Sequence, residues 1–531
     1  MQFRWTKETA WVGCIIAVFL TLTLWEPIYA LFRKPPDTIY TYVHNWPEDY
    51  FYYLHIMRQG YDGSILVTSR MTTEAYKPQF AVPFYTFLGL FGRVSGISLE
   101  KLYGVTRFLG AVGLISVIFL LIRALFRDRL HRLWALVLTL SCTYLPVIRD
   151  GVLKPPDHAQ SWSELDPLVR LSFVPHHLWS KVLFVGLLYV IAHPSRFVVS
   201  NHRLFPVLAG LSVIVMGFIS PVILITFGLT VALFWAGEWM FVRRDNILLI
   251  GCVGGATAVL MGYHWNLSHS TFPWTTYGPP WEANWLFLMR PDQYAWLFGP
   301  LLPLALFGIG AGFRKDPLVR ILTSWIVSGW LLLFVFRPLL PFSNTRYISG
   351  YQWIAVGILA AQGLVWIGKK MQKRLRYDGF LVLTVLAALL SLPSWYASVR
   401  NATRSVDSNL TNPRMFMPLE IRAILSYFEN LNGSPCIVAA PDWFSTMIPA
   451  YSSCRSVSGH RLMTYANDIK VYEMNEFFFQ PKPLAEKAAR IKQYGITHVI
   501  TLDGITGTDI LPLLAPTPVF TAGGVRVYEV R

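Results

Sequence analysis

Residues 45–63 read NWPEDYFYYLHIMRQGYDG, a segment rich in aromatic residues and carboxylates. This segment follows soon after a long apolar stretch, residues 11–32. Charged groups at the edge of a membrane lose hydration, and proteins keep them there where they serve a purpose. Glu48 and Asp49 are therefore the first candidates for chemistry at a membrane surface, on a substrate that the membrane itself holds.

The composition of the whole chain is typical of a membrane protein. Of the 531 residues, 54% are hydrophobic and 14% are charged, whereas soluble domains carry about 25% charged residues. Apolar stretches of about 18–25 residues, long enough to cross the hydrocarbon core, recur along most of the chain. We predict an α-helical polytopic membrane protein with about eleven transmembrane helices, at residues 11–32, 103–125, 132–149, 177–193, 205–220, 222–242, 246–264, 293–313, 317–337, 348–367 and 378–394.

The positive charge of the chain follows the predicted topology. The net charge is +16, which by itself would also suit a nucleic-acid-binding protein. Basic residues concentrate, however, in alternate short loops, as expected on the cytoplasmic side of a membrane. The sequence thus predicts a multi-pass protein of the cytoplasmic (inner) membrane, with membrane lipids as partners and no nucleic-acid partner. Its N-terminus is expected inside and its C-terminal region outside.

Two domains are predicted. Residues 1–397 contain the spans and a large first outer loop, 33–102. Further along the chain, helical and strand-like patterns alternate, which is typical of an α/β domain. An odd number of spans places this domain, 398–531, outside the cell. It contains Cys436 and Cys454, and either a disulfide or two unpaired thiols agrees with that location.

The order of residues within the acidic segment separates the two acids. Pro47 suits the first turn of a helix. Asn45, with Glu48 three positions later, has the spacing of a capping box, which would give Glu48 a structural role. Neighbouring residues on a helix point about 100° apart, so the two carboxylates cannot share one site equally. We therefore rank Asp49 first as a catalytic base and keep Glu48 as the alternative.

Other polar residues of the first outer loop are candidates for binding substrate. On a helix, His55 would lie on the same face as Glu48. Residues 68–80, TSRMTTEAYKPQF, add a further carboxylate and a further amine, Glu74 and Lys77. We predict that His55, Glu74 and Lys77 contact the substrate.

A second group of candidates is cationic. His176 and His177 stand where an outer segment enters a predicted span, and histidine offers a neutral nitrogen to a metal or a positive charge to a phosphate. Adjacent side chains on a helix face different ways, so one histidine is expected at a ligand and the other in packing. Lys181 and Arg346 would bind a phosphate group, although cations at span ends also extend towards lipid headgroups.

Several common catalytic motifs do not occur in the sequence. It has no Walker phosphate loop, no Cys-x-x-Cys pair, no His-Glu-x-x-His and no Gly-x-Ser-x-Gly. This argues against the usual ATP-driven, zinc-protease and serine-hydrolase designs. Few charged residues lie deep in the predicted spans, which weakens the case for an ion-coupled transporter without excluding transport.

Two parts of the chain carry a family resemblance. The first consists of residues 45–63, followed by TTEAYKPQFAVPFYTFLGLFGRVSGIS at 72–98. The second consists of three tail segments, IPAYSSCRSVSGHRLMT (448–464), KVYEMNEFFF (470–479) and YGITHVI (494–500). The first part is similar to the first outer loop, and the second to the outer domain, of bacterial members of the GT-C superfamily of membrane glycosyltransferases. The chain resembles in particular the protein-mannosyltransferase-like group of this superfamily, which is similar to glycosyltransferase family 39.

The resemblance implies roles for particular residues. In this superfamily the first-loop acid acts as a base towards an acceptor hydroxyl or as a metal ligand, and here it corresponds to Asp49 or Glu48. A divalent metal ion, Mg²⁺ or Mn²⁺, would then involve Glu48, Asp49 or His176. The second-loop acid of some relatives has two candidates here, Glu164 and Asp166.

The resemblance also implies an activity. We expect a hexosyl or pentosyl transferase that moves a sugar, with inversion, from a polyprenyl-phosphate donor to a glycan, lipid or protein acceptor. The reaction is expected on the outer face of the membrane. The alternative is a lipid or polysaccharide transporter, or an envelope-assembly scaffold without catalysis. Only the enzyme needs the outer acids, so the two hypotheses differ in a testable way.

Overall fold

The computed structural model describes residues 7–43, 46–141, 143–154, 166–194, 204–241, 247–277, 290–337, 343–347, 352–375, 379–431 and 436–531. The chain divides into two compact units. The helical unit comprises Met1–Ile28, Thr106–Asn266 and Pro279–Arg404. The mixed unit comprises Tyr29–Val105, Leu267–Gly278 and Ser405–Arg531. The predicted division into domains 1–397 and 398–531 stays a proposal.

Helices make up most of the described chain. In chain order they are α1 (Lys7–Thr23), α2 (Trp25–Arg33), α3 (Pro47–Tyr61), α4 (Pro83–Ser95), α5 (Leu99–Leu125), α6 (Arg129–Ser141), α7 (Val169–Ser172), α8 (Pro175–Ala192), α9 (Leu204–Ile219), α10 (Pro221–Phe241), α11 (Ile247–Ser270), α12 (Trp274–Tyr277), α13 (Pro291–Trp296), α14 (Leu301–Gly312), α15 (Pro317–Trp330), α16 (Gln352–Leu375), α17 (Gly379–Ser408), α18 (Leu419–Glu429), α19 (Asp442–Ser445), α20 (Ile448–Tyr451), α21 (Asn467–Phe479) and α22 (Leu484–Tyr494).

Among the described residues, six helices are long and apolar enough to cross a membrane, or seven if α1 and α2, bent by 52°, form one span. The six are Leu99–Leu125, Pro175–Ala192, Pro221–Trp239, Ile247–Ser270, Pro317–Val335 and Gln352–Lys373. The polytopic helical architecture is confirmed, but the predicted count of eleven spans is not. Two predicted spans correspond to α9 and α14, which have 16 and 12 residues, whereas a span needs about 20.

The predicted span 132–149 also differs from the structure. Helix α6 ends at Ser141, and a short hairpin of β2 (Val147–Arg149) and β3 (Val152–Lys154) follows. Buried apolar side chains from the helices of the helical unit, α6 included, form one large core. A second core fills the mixed unit and includes residues of α3 as well as residues of the C-terminal region.

The mixed unit contains a five-stranded sheet in the order β6–β5–β7–β9–β8. Its strands are β5 (Ile437–Ala439), β6 (Arg455–Ser456), β7 (His498–Leu502), β8 (Phe520–Ala522) and β9 (Val525–Glu529). Strand β5 runs parallel to β6 and β7, as expected where strands and helices alternate. Strands β8 and β9 form a hairpin, and Gly523 at its turn has a φ of +55°, a left-handed conformation that favours glycine.

Two further links tie the mixed unit together. Strand β1 (Thr38–Tyr40), which precedes the acidic segment, pairs antiparallel with β4 (Phe416–Pro418). Cys436 and Cys454 form a disulfide, with Cα atoms 4.7 Å apart. The structure therefore selects the disulfide from the two alternatives that the sequence allowed.

Helix α3 carries the acidic pair, and its first turn differs in part from the prediction. Pro47 begins the helix as predicted. Trp46 occupies the N-cap position without a side-chain cap hydrogen bond. Glu48 is therefore the second residue of the helix, whereas a capping box needs it to be the third. The predicted capping box is therefore wrong. Asn45 itself lies outside the described residues.

Two glycines bring α3 and α4 into close contact. A Cβ atom at Gly60 would overlap the carbonyl oxygen of Thr86, and a Cβ atom at Gly89 would overlap that of Met57. Each helix thus places a glycine against the backbone of the other. This mutual approach fixes the position of α3, and with it the position of the acidic pair.

Candidate functional site

Asp49, the third residue of α3, is bound by a histidine from the C-terminal region. The Nε2 atom of His460 lies 2.8 Å from Oδ1 of Asp49. The side chain of His460 is 5% exposed, whereas that of Asp49 is 47% exposed. The first turn of a helix also stabilises a negative charge through the helix dipole. The carboxylate is thus held by the protein and still open to solvent.

The hydrogen bonds of His460 define its tautomer. The backbone N–H of Leu462 donates to Nδ1 at 3.1 Å, so Nδ1 carries a lone pair and no proton. The ring proton is therefore on Nε2, which donates it to Asp49. The ring of Tyr52 lies against the imidazole, with centroids 5.5 Å apart. His460 is thus oriented by two contacts to donate one hydrogen bond to the carboxylate.

Glu48 has different surroundings. Its Oε1 atom lies 4.0 Å from Nη1 of Arg414, and the Nε of that guanidinium donates to the carbonyl oxygen of Trp443 at 3.0 Å. Burial raises the pKa of the neighbouring Asp442; the charge of Arg414 opposes this shift, and that of Glu48 adds to it. Glu48 therefore belongs to an ionic cluster with Arg414 and Asp442.

His55 lies inside the mixed unit. Its ring is fully buried, and Nε2 accepts a hydrogen bond from the backbone N–H of Arg70 at 3.1 Å. The amide of Gln59 lies 3.1 Å from the same nitrogen. Burial, with the nearby charge of Arg70, lowers the pKa of His55 to about 3. The neutral ring connects α3 to residues 68–70, whereas the sequence suggested a substrate contact.

Glu74 pairs with a buried lysine that the sequence did not single out. The Nζ atom of Lys470 donates to Oε2 of Glu74 at 2.7 Å and to the hydroxyls of Thr72 and Thr73 at 3.1 Å each. Burial lowers the pKa of Lys470 against the opposing effect of Glu74. Burial also acts to raise the pKa of Glu74, but hydrogen bonds from Lys470 and Thr72 outweigh it and lower the pKa. Lys77 is exposed.

The four cationic candidates lie together in the helical unit. The rings of His176 and His177, in the first turn of α8, have centroids 4.4 Å apart. The two adjacent rings therefore contact each other, and the expectation that one binds a ligand while the other packs stays a prediction. His177 interacts electrostatically with His176, Lys181 and Arg346. The Lys181 side chain is fully buried, with Nζ 5.8 Å from the ring centroid of Phe173.

Of the two candidates for a second-loop acid, the structure describes one. Asp166 is buried and accepts a hydrogen bond from the backbone N–H of Leu168 at 2.9 Å. Burial raises its pKa, and the hydrogen bonds and the charge of Arg170 oppose the shift. Glu164 lies outside the described residues.

The residues around Asp49 do not fit a metal ion. Nε2 of His460 carries a proton and so has no lone pair for a metal, and Glu48 faces Arg414. Within the described parts of the chain, no group of three or more histidine, cysteine or acidic side chains could hold a metal ion. The proposed chemistry of Asp49 therefore does not involve the Mg²⁺ or Mn²⁺ ion that the resemblance left open.

Three residues of this region were missed by sequence reasoning: His460, Lys470 and Arg414. His460 and Asp49 are 411 positions apart, and no local spacing predicts a contact over that distance. Two of the three residues do lie in tail segments that carry the family resemblance, 448–464 and 470–479. The family resemblance of these segments pointed to the region of His460 and Lys470, but it assigned no role to either residue.

Comparisons with known proteins give a fold. No protein-family model matches the chain, and no curated protein matches it. The solved structure of ArnT from Cupriavidus metallidurans, in the apo state, matches 99% of this chain and 98% of its own at 12% identity, with a TM-score of 0.50. The archaeal oligosaccharyltransferase AglB from Archaeoglobus fulgidus, in complex with an inhibitory peptide and a dolichol-phosphate, matches 91% of this chain and 69% of its own at 13% identity, with a TM-score of 0.49.

Both of these proteins are GT-C superfamily membrane glycosyltransferases. The match to ArnT extends over nearly the full length of both chains, so the present chain has the GT-C fold. This confirms, at the level of the fold, the resemblance that the sequence indicated.

Proposed function

We propose that this protein is a membrane glycosyltransferase that transfers a sugar from a polyprenyl-phosphate-linked donor to an acceptor hydroxyl. The observation that carries the proposal is the Asp49 carboxylate, held by the buried His460 and half exposed to solvent. The GT-C fold supports it, and so does the resemblance of the first loop to enzymes that use lipid-linked sugars. The predicted location, the outer face of the cytoplasmic membrane, belongs to the same proposal.

The proposed reaction is a single inverting displacement. Asp49 removes the proton of the acceptor hydroxyl, and the oxygen forms a bond to the anomeric carbon as the bond from that carbon to the phosphate oxygen breaks. The electron pair leaves with the polyprenyl phosphate. The proton on Asp49 then passes to solvent.

Negative charge develops on the departing phosphate, and cationic side chains stabilise it in the transition state. We assign this role to His176, Lys181 and Arg346, because the structure gathers them around His177. Arginine presents a fork that matches phosphate oxygens, and lysine acts as a point charge. The sugar, a hexose or a pentose, and the acceptor stay open in this proposal.

The test is a glycan profile of the cell envelope. We expect a deletion strain to lose one envelope glycan modification, which the wild-type gene restores. Asp49→Asn should restore less than about a hundredth of it, since a general base contributes about 10²- to 10⁴-fold. Glu48→Gln should reduce it less, because Glu48 interacts with Arg414.

Asp503→Asn is a matched control, because Asp503 is 49% exposed and pairs with Arg526. It should restore the glycan fully. Full restoration by Asp49→Asn would contradict the proposal and favour the transporter or scaffold alternative.

A further inference from the structure

Within the mixed unit, the segment that carries His460 lies against the first outer loop through an extended set of hydrogen bonds. They join residues 69–74 to residues 455–465. The donor and acceptor pairs are Ser456 N to Arg70 O, Ser69 Oγ to Met463 O, Thr464 Oγ1 to Met71 O, Tyr465 N to Thr72 Oγ1, and Arg455 Nη1 to Thr73 O and Glu74 O. The C-terminal segment is thus aligned with the loop residue by residue.

Just after this C-terminal segment, an ion pair between the buried Lys470 and the partly exposed Glu74 adds a further contact to the first outer loop. Lys470, 3% exposed, places Nζ within hydrogen-bond distance of Glu74, Thr72 and Thr73. An ammonium group has three donors, and these three oxygens satisfy them all. We call Lys470 and these three partners the lysine clamp. Because a buried ammonium without partners is costly, the clamp strongly favours this one arrangement of the two segments.

The turn that presents His460 is packed tightly between these contacts. A Cβ atom at Gly459 would lie 3.0 Å from Cβ of Met71, so the backbone approaches the first loop closely. The backbone N–H groups of Met463 and Thr464 both donate to the carbonyl oxygen of His460, and that of Leu462 donates to its Nδ1. Neither the backbone nor the ring of His460 can rotate away without breaking these bonds.

From this arrangement we propose that His460 is a positioning residue for Asp49, and that the lysine clamp keeps it in place. This inference rests on the proposed function of Asp49. The Nε2–H of His460 holds Oδ1 and so aims the rest of the carboxylate at the acceptor hydroxyl. The C-terminal region then contributes to the reaction centre, because it holds the imidazole of His460 in place beside Asp49.

A positioning role and a merely structural role predict different kinetics. Loss of positioning lowers kcat and leaves donor binding unchanged, because the proposed reaction assigns the donor phosphate to His176, Lys181 and Arg346. A misplaced catalytic group costs about 10²-fold in rate. A side chain with an N–H donor at a similar reach, such as glutamine, should recover part of the loss.

The experiment measures initial transfer rates with purified full-length protein in lipid nanodiscs. The donors are a panel of radiolabelled polyprenyl-phosphate hexoses and pentoses, and the acceptor is membrane from the deletion strain. We expect His460→Ala to lower kcat about 10- to 100-fold with the donor KM changed less than about twofold. His460→Gln should be at least about threefold faster than His460→Ala.

Lys487 provides a matched control for the lysine clamp. It is a buried lysine of the same region, 2% exposed, but its partners are Asp509 and the carbonyl oxygen of Phe477. We expect Lys470→Met and Lys487→Met to lower the melting temperature by similar amounts. Lys470→Met should lower kcat about tenfold, and Lys487→Met should keep it within about twofold.

The outcomes separate the two proposals. If the wild type transfers none of the sugars, the proposed function fails, and this inference fails with it. If Asp49→Asn is inactive while His460→Ala keeps full kcat, only the inference fails. It also fails if glutamine is no better than alanine at position 460, or if the two lysine variants lose the same activity.

Discussion

A carboxylate that acts as a base must be held in one orientation and must still be reachable by its substrate. For Asp49 the first condition is provided by the 2.8 Å contact with His460 and the second by its exposure of 47%. Glu48, one position earlier, lies instead next to Arg414. We therefore infer that the neighbouring acids have separate tasks, a base at Asp49 and an ionic support at Glu48.

The buried His55 should make the stability of the protein depend on pH. Its pKa is lowered to about 3 by burial and by the charge of Arg70, from an ordinary value of about 6.5. Below the ordinary value the unfolded chain binds a proton that the folded chain does not, so stability is lost as pH falls from about 6 towards 3. The slope from this group approaches about 1.4 kcal/mol per pH unit.

We predict that His55→Gln removes this contribution. Between about pH 6 and pH 4, the melting temperature of the variant should fall less steeply than that of the wild type. Tryptophan fluorescence during heating, at several pH values, measures both. Equal slopes for the two proteins would show that His55 does not titrate as its burial implies.

At the scale of elements, the close packing of α3 against α4 requires glycine, which has no side chain, at two positions. Gly60 and Gly89 bring each helix onto a carbonyl oxygen of the other, at Thr86 and Met57. Backbone carbonyls cannot move aside as a flexible side chain can. A methyl group at either position would therefore separate the helices and move the first turn of α3, where Asp49 lies.

We predict that Gly89→Ala destabilises the protein by about 1–3 kcal/mol, the usual cost of overpacking, and that it also reduces transfer activity. Gly104→Ala is the control, because a Cβ atom at Gly104 in α5 meets nothing within 4 Å. Alanine there should be neutral or stabilising by up to about 1 kcal/mol. Melting temperatures of the two variants make the comparison. A Gly89→Ala protein as stable as the wild type would contradict the close packing of α3 and α4.

At the scale of the whole molecule, the chain combines apolar helices with a sheet-containing unit that carries a disulfide. Disulfides persist in oxidising compartments and are rare in the cytosol. The bond between Cys436 and Cys454 therefore agrees with the proposed outer location of the C-terminal region. The N-terminus, by the same proposal, lies inside.

The disulfide gives a direct test of that location. The chain has five cysteines, and two of them are paired, so at most three free thiols remain. We predict at most three maleimide–polyethylene glycol adducts on protein denatured without reductant from intact cells, and five after reduction, each counted as a shift on a gel. Five adducts without reductant would place the C-terminal region in a reducing compartment.

Replacing both cysteines should also lower stability. The bond closes a loop with a sequence separation of 18, and a loop of this size is worth about 3 kcal/mol. The double variant Cys436→Ser/Cys454→Ser should therefore melt at a lower temperature than the wild type. Replacing Cys252 by serine is the control, because it is an unpaired cysteine.

Features with a local cause could be read from the amino-acid sequence. Apolar stretches gave the class of protein, and Pro47 marked the start of α3. The count of about eleven spans was not confirmed, because apolar stretches such as those of α9 and α14 form helices of only 16 and 12 residues, and hydropathy alone does not give the length of a helix. The capping box failed for a related reason: its residue spacing does not reveal where the helix begins.

The sequence by itself determined that this protein is a polytopic membrane protein with an acidic first loop, because hydropathy, charge and helix signals act between near neighbours. Only the tertiary structure decided which acid is held in place, since the partner of Asp49 is 411 residues away. The same holds for the pair of Glu74 and Lys470 and for the burial of His55. Such contacts join residues that are far apart in the sequence and meet only in the folded chain. Their energies depend on burial and on interatomic distances, which a short segment of sequence does not determine.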